Sequence, residues 1–241
     1  MTITEHVQPV MDRKLPAALV AGLLLCASGA RADVRSAPSG DHLDLEAVSG
    51  AHPGVAVVDF GVGAATAKTF KDAFRPQVRA RMIAQPWPGE PYATGIEERA
   101  AGEYRIFYLQ SQSHPVIHGS DHDWSVTVHR CEAAIDSALA RRILDVWMRM
   151  LRAIPKNAER RGGLDGDVYN FAFAADRRTL TGYTWSPDPG TKPYKLVHIG
   201  DTMSNYCRAT QWWFAPGANW AMSLYLNHEV EELEQKLDVK K

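Results

Sequence analysis

What this 241-residue chain lacks narrows its function before any motif is read. Charge of one sign is not in excess: 27 Lys+Arg stand against 28 Asp+Glu with no long basic run, which argues against a nucleic-acid surface. Outside a short N-terminal stretch, no apolar run reaches the roughly 18 residues of a membrane span, so no transmembrane span is expected in the mature chain. Cysteines number three, and none stands in a C-x-x-C or other activating context. G-x-S-x-G, H-E-x-x-H, P-loop and EF-hand patterns are all missing, so the reading leans away from an enzyme and from a resident cofactor. What is present, 45% hydrophobic and 23% charged residues, is ordinary globular composition. The chain is long enough for one sizeable core.

The N-terminus is the most telling segment. Arg13 and Lys14 precede the apolar run Leu15–Ser28, and Ala30-Arg31-Ala32 follows with small residues at both key positions. A charged start, a short apolar stretch and a small-x-small end describe a secretory signal peptide over residues 1–32. Starting at Met11 would make that signal more compact. Cys26 suggests a lipid anchor, but Leu25 stands before it where lipoprotein processing needs a small residue. The expected location is therefore periplasmic or secreted, after cleavage near Ala32. Cys26 leaves with the signal, and Cys131 and Cys207 remain to form one disulfide in an oxidising compartment.

Residues 33–54, rich in Gly, Ser, Pro, Ala and acids, read as a flexible leader, and 55–241 as a single domain. Short β-type runs occupy Val55–Phe60 and Val78–Ala84, with a short helix over Ala64–Phe74 between them. Pro86, Pro88, Gly89 and Pro91 impose a loop. Alternation of period two predicts strands over Glu103–Gln110 and Asp123–Arg130, joined as a long hairpin, and a second hairpin from Asp167–Ala174 and Thr179–Trp185. Ile135, Leu139, Ile143, Trp147 and Leu151 mark a helix over 136–154 that Asp136 can cap and Pro155 ends. Tyr194–Cys207 predicts another helix. Leu226, Val230, Leu233 and Leu237 form a narrow stripe on a polar C-terminal helix, fit to dock on the domain or on a partner. Trp212, Trp213 and Trp220 read as packing residues. Hairpins followed by helices, without regular β–α–β alternation, predict an α+β fold: an antiparallel sheet packed against two or three helices.

Three constellations carry possible chemistry. Val57-Val58-Asp59-Phe60-Gly61-Val62-Gly63 resembles the first motif of S-adenosylmethionine-dependent methyltransferases, a strand, an acid and G-x-G. Ala65 stands where the third glycine belongs, and no acidic residue ends the strand that follows. The second is His114, His118, Asp121 and His122, with His129 on the next strand. Imidazole and carboxylate there suit zinc or another divalent transition metal, and the runner-up function is a metal-binding protein or metal-dependent hydrolase using His114–His129. A solvated loop tip explains the same residues.

The third is the second hairpin. Leu164-Asp165-Gly166, Tyr169 and Phe171, then Gly182, Thr184-Trp185-Ser186-Pro187, follow an L-D-G-x-x-Y-x-F…G-x-T-W-S-P pattern. In this the stretch 131–207 resembles uncharacterised exported bacterial proteins. The resemblance implies a shared fold over that third of the chain and attaches no activity. Tyr169, Tyr183, Trp185 and Asp188 are the residues expected to line a binding groove. The leading expectation is a non-catalytic exported binding protein, with an envelope protein as its partner.

Overall fold

The computed structural model describes residues 40–45, 62–112, 127–156, 166–176, 178–211 and 218–239. Six strands form one antiparallel sheet: β1 (Val78–Gln85), β2 (Tyr92–Ala100), β3 (Glu103–Ser111), β4 (Val128–Ile135), β5 (Val168–Ala175) and β6 (Arg178–Trp185). Their order is β4-β3-β2-β1-β5-β6. The first four make a meander. Helix α2 (Ser137–Arg152) then returns the chain to the far side of β1, where the β5–β6 hairpin is added. Helices α3 (Lys192–Gln211) and α4 (Ala218–Asp238) follow, while α1 (Ala64–Thr69) and a 3₁₀ turn (Lys71–Phe74) precede the sheet. The fold is α+β, with an antiparallel sheet, three long helices and one disulfide between Cys131 and Cys207.

Alternation divides the sheet into two faces. Met82, Ile96, Ile106, Ala133 and Phe171 pack with Ile143, Trp147, Leu196 and Met203 of α2 and α3 in the main core. Ile83, Ala93, Phe107 and Leu109 point the other way and meet Phe70 and Ala73 of the short helical turns in a smaller cluster. The Oδ1 of Asp136 accepts hydrogen bonds from the N–H groups of Ala138 (2.9 Å) and Leu139 (3.0 Å), which is the N-cap its position suggested.

The hairpins and helices fall where alternation and spacing place them, with instructive departures. Strand β2 is not expected from the sequence, because Tyr92–Ala100 contains a glycine and four charged or small polar residues. The glycine is required by packing. A Cβ on Gly95 would lie 2.1 Å from the Ala80 carbonyl oxygen and 2.8 Å from the Phe107 ring. The charges are paired on the second face: Glu97, 2% exposed, has Arg99 at 3.1 Å and Arg130 at 3.6 Å, and Glu132 has Arg99 at 2.9 Å. The hairpin's second strand is described over Val128–Ile135, running past the expected end at Arg130; residues 113–126, which include the expected start at Asp123, lie outside those described, as does the run Val55–Phe60.

Residues 40–45 fall in the expected leader, yet they are part of the folded unit. Leu43 is 0% exposed in the main core, Asp44 bridges to Tyr183 on β6, and the Asp41 carboxylate lies 3.0 Å from the Lys192 ammonium. An apolar side chain and two anchors hold a stretch whose composition suggested flexibility. The C-terminal stripe is likewise internal: Leu226, Val230 and Leu233 belong to the main core, so this stripe is not a partner surface. Trp220 is the reverse case, 69% exposed on α4 rather than packed.

Two outcomes test this architecture. Gly95→Ala is expected to lower unfolding free energy by about 2 kcal/mol or more, since backbone and ring must both move; denaturant melts that match the parent would refute the close approach. The Cys131→Ser/Cys207→Ser variant should lose roughly 2–5 kcal/mol, because the bridge closes a 76-residue separation between β4 and α3. Alkylation of two thiols in native protein from an oxidising compartment would count against the pairing.

Candidate functional site

Those of the sequence-chosen residues that the structure describes do not assemble into one place. His114, His118, Asp121 and His122 lie outside the described residues. His129 sits exposed on β4, its Nε2 accepting a 2.6 Å hydrogen bond from Gln112 Nε2. Among the described residues no group of three or more His, Cys, Asp or Glu is arranged to hold a metal ion.

The expected groove of Tyr169, Tyr183, Trp185 and Asp188 is split by strand alternation. Cross-strand partners share a face. Tyr169 partners Thr184 and Ala84, on the helix side of the sheet. Tyr183 partners Asn170, which partners Ile83 of the smaller cluster, so Tyr183 and Trp185 point away from Tyr169. Tyr183 is fully buried, and Asp188 is exposed at the start of α3, its carbonyl accepting from the Thr191 hydroxyl at 2.7 Å. The signature residues around them close the hairpin. Gly166 has φ +149°, a Cβ there would strike the Trp185 ring at 2.7 Å, and Ser186 N–H donates to the Asp167 carbonyl at 2.8 Å.

Tyr169 instead belongs to a different cluster. One row of the sheet reads Tyr92 (β2), Ala84 (β1), Tyr169 (β5), Thr184 (β6). The small Ala84 separates two tyrosines whose backbones lie about 10 Å apart, two strand spacings. Tyr108 stands beside Tyr92, ring centroids 5.8 Å apart. Over the Tyr92 end of this row runs α3, where Tyr194, His198 and Asp201 recur at i, i+4 and i+7 on one side of the helix. The Tyr194 and His198 rings lie 4.4 Å apart. The Tyr92 hydroxyl donates to Asp201 Oδ1. At the sheet end, Asp167 accepts from the Tyr169 hydroxyl at 3.2 Å and from the Trp87 N–H at 2.8 Å. Trp87 lies in the proline-rich β1–β2 loop and is exposed.

Tyr92, Tyr169, Tyr194, His198 and Asp201 are all half-buried, so the cluster is polar, aromatic and partly open to solvent. Burial pushes the Asp201 carboxyl above its ordinary value; the Tyr92 hydrogen bond and the charge of His198 oppose this, while Asp167 adds to it. Burial also raises the Tyr92 hydroxyl, reinforced by the Asp201 charge and hydrogen bond, and raises Tyr169, reinforced by Asp167 and Asp201. Tyr108 is raised by burial against the opposing charge of Arg208. The phenols therefore stay neutral donors, and Asp201 holds its proton to higher pH than an ordinary aspartate. Convergent polar groups, aromatic walls and a perturbed carboxyl are the features of a ligand site.

Sequence reasoning reached Tyr169 and passed over Tyr92, Tyr108 and Asp201. Tyr92 was hidden with β2. The Tyr194-x-x-x-His198-x-x-Asp201 spacing was the available signal, a polar stripe beside the apolar side of a helix.

The Asp201 shift has a definite sign. The folded protein holds a proton that the unfolded chain has released between the ordinary carboxyl value and the raised one. Stability therefore falls as pH rises through that window. Asp201→Asn should remove this part of the fall, so the variant gains on the parent as pH rises from the ordinary carboxyl value, about 4, through the raised one. A variant-minus-parent stability that stays flat in urea melts across that range would refute the assignment. Compared with models of protein families, with curated proteins and with solved structures, the chain matches none.

Proposed function

We propose that the protein acts outside the cytoplasm as a non-catalytic binding protein, with its ligand seated on the Tyr92–Tyr169–Asp201 cluster. The observation that carries this reading is Asp201 itself. A half-buried carboxyl faces three tyrosines and a histidine on the helix side of the sheet, at an end left partly open to solvent. Export is supported by the signal-like residues 1–32 and by the Cys131–Cys207 bridge, which persists in an oxidising compartment. No helix among the described residues is long and apolar enough to cross a membrane. An envelope-protein partner has a surface to use on the outer side of α4, where Trp220, Leu224 and Tyr225 are exposed.

Native mass spectrometry of the untagged protein, purified from the exported fraction without chelator, tests this. A small-molecule adduct is expected on the parent and should be lost or greatly reduced in the Tyr169→Leu/Asp201→Asn variant. An adduct that survives the double substitution, or its absence from both proteins, would overturn the site. About one equivalent of zinc or a similar metal, lost on His118→Ala/His122→Ala, would move the function to the histidine segment.

A further inference from the structure

We infer that the site takes an organic cation, an alkylammonium group. The inference rests on the binding reading above and names the chemistry of the ligand. Two features of the cluster point the same way. The first is charge that the fold leaves unmatched. The buried glutamates each have a cation at hand: Glu97 has Arg99 and Arg130, and Glu229 has the Lys195 ammonium at 3.3 Å. Among the described residues no Lys or Arg pairs with Asp201; its hydrogen-bond partner is the neutral Tyr92 hydroxyl. Around it stand Asp167, and Glu90 beside Tyr108, against His198 on the next turn and Arg208. Arg208 is seven residues along α3, about 10 Å from Asp201 along the axis, and sits exposed. The local balance is acidic and open to one more positive charge.

The second feature is the walls. Tyr92, Tyr108 and Tyr169 on the sheet, and Tyr194 on α3, are the large side chains of the cluster, with exposed Trp87 on the adjoining loop. The face of a neutral aromatic ring is electronegative and attracts a cation, most strongly where water is excluded. The raised phenol values keep the Tyr92 and Tyr169 rings neutral. An anion would meet Asp167, Asp201 and Glu90 and be repelled. A neutral ligand would leave Asp201 without a counter-charge.

Binding a cation favours the ionised carboxylate, so the Asp201 proton leaves when the ligand enters. Affinity should rise with pH until Asp201 is ionised in the free protein and then level off. The groups around Asp201 that alter this profile are Tyr92, Tyr108, Tyr169, Asp167 and Glu90 from the sheet and its loops, and His198 and Arg208 from α3.

Isothermal titration of the mature protein with choline, tetramethylammonium and putrescine tests the inference, with 3,3-dimethylbutan-1-ol as the uncharged match for choline. At least one of the three cations is expected to bind, choline at least about tenfold more tightly than its uncharged match. Asp201→Asn should weaken the binding cation about tenfold or more, whereas Tyr169→Phe, which keeps the ring, should change it less than about threefold. Thermal melts of both variants establish that they fold. Heats measured in two buffers of different ionisation enthalpy should show a proton released on binding. Failure of all three cations to bind, equal affinity for choline and its uncharged match, or an unaffected Asp201→Asn overturns the inference. A neutral or anionic adduct that maps to the same residues by mass spectrometry would overturn the cation and leave the binding site standing.

Discussion

The seat of α3 on the sheet is the constraint on which the rest of this protein depends. Gly200 brings the helix so near that a Cβ there would lie 2.5 Å from the Met82 methyl. One helical turn on, Met203 is fully buried, and Cys207 is bonded to Cys131 on β4. The Tyr206 hydroxyl donates to the Ala134 carbonyl at 3.0 Å, tying the same helix to the same edge strand. A glycine contact over β1 and a covalent link at β4 fix both the height and the direction of α3. Rotation of the helix about its axis is also fixed, and with it the stripe of Tyr194, His198 and Asp201. That stripe meets Tyr92 because the apolar side of α3 has nowhere else to go.

The two faces of the sheet use polar residues in opposite ways. On the face with the smaller cluster, Glu97 and Glu132 are enclosed by Arg99, Arg105 and Arg130, and Asp72 of the 3₁₀ turn lies 3.0 Å from Arg130. Desolvation raises Glu132, but the hydrogen bond and charge of Arg130, with Arg99 and Arg105, more than offset it and leave the carboxyl below its ordinary value. Its ionisation favours folding, and protonation at low pH removes that contribution. Asp201, on the helix side, has the opposite sign. One face neutralises its charges within the chain, and the other leaves a carboxyl whose ionisation opposes folding.

Much of the architecture was legible because the signals were local. The α2 repeat of Leu139, Ile143, Trp147 and Leu151, the Asp136 cap, and the alternation in β3, β5 and β6 all depend on neighbours within a few residues. What could not be read depended on distant partners. Gly95 looks like a strand breaker until Ala80 and Phe107 close over it. Glu97 and Arg99 look solvated until Arg130 and Glu132 arrive from β4. Leu43 sits in a stretch of weak composition, and its burial rests on a bridge to β6, about 140 residues away in sequence. The candidate site failed to appear for the same reason. Tyr92, Tyr108, Tyr169 and Asp201 come from four separate elements, and only the strand order β3-β2-β1-β5 makes them neighbours. Tyr169 and Tyr183 illustrate the converse. Both are aromatic residues of one hairpin, yet the parity of their cross-strand partners sends them to opposite faces.

A carboxyl kept where its charged form is disfavoured needs a physical reason. If Asp201 served only to accept the Tyr92 hydroxyl, an amide carbonyl would do so without titrating, and the fold would lose nothing at neutral pH. The same argument fails for Glu97 and Glu229, whose charges are answered by Arg99, Arg130 and Lys195. The difference lies in what each carboxylate faces. Two are enclosed by this chain's own cations, whereas Asp201 faces tyrosine rings and the partly open end of the sheet. Strain of that kind is found where a site is prepared for a group the chain does not supply. The disulfide then has a second consequence. By holding α3 against β4 it prevents the helix from lifting to hydrate Asp201, which keeps the carboxyl desolvated and its preference for an incoming cation intact.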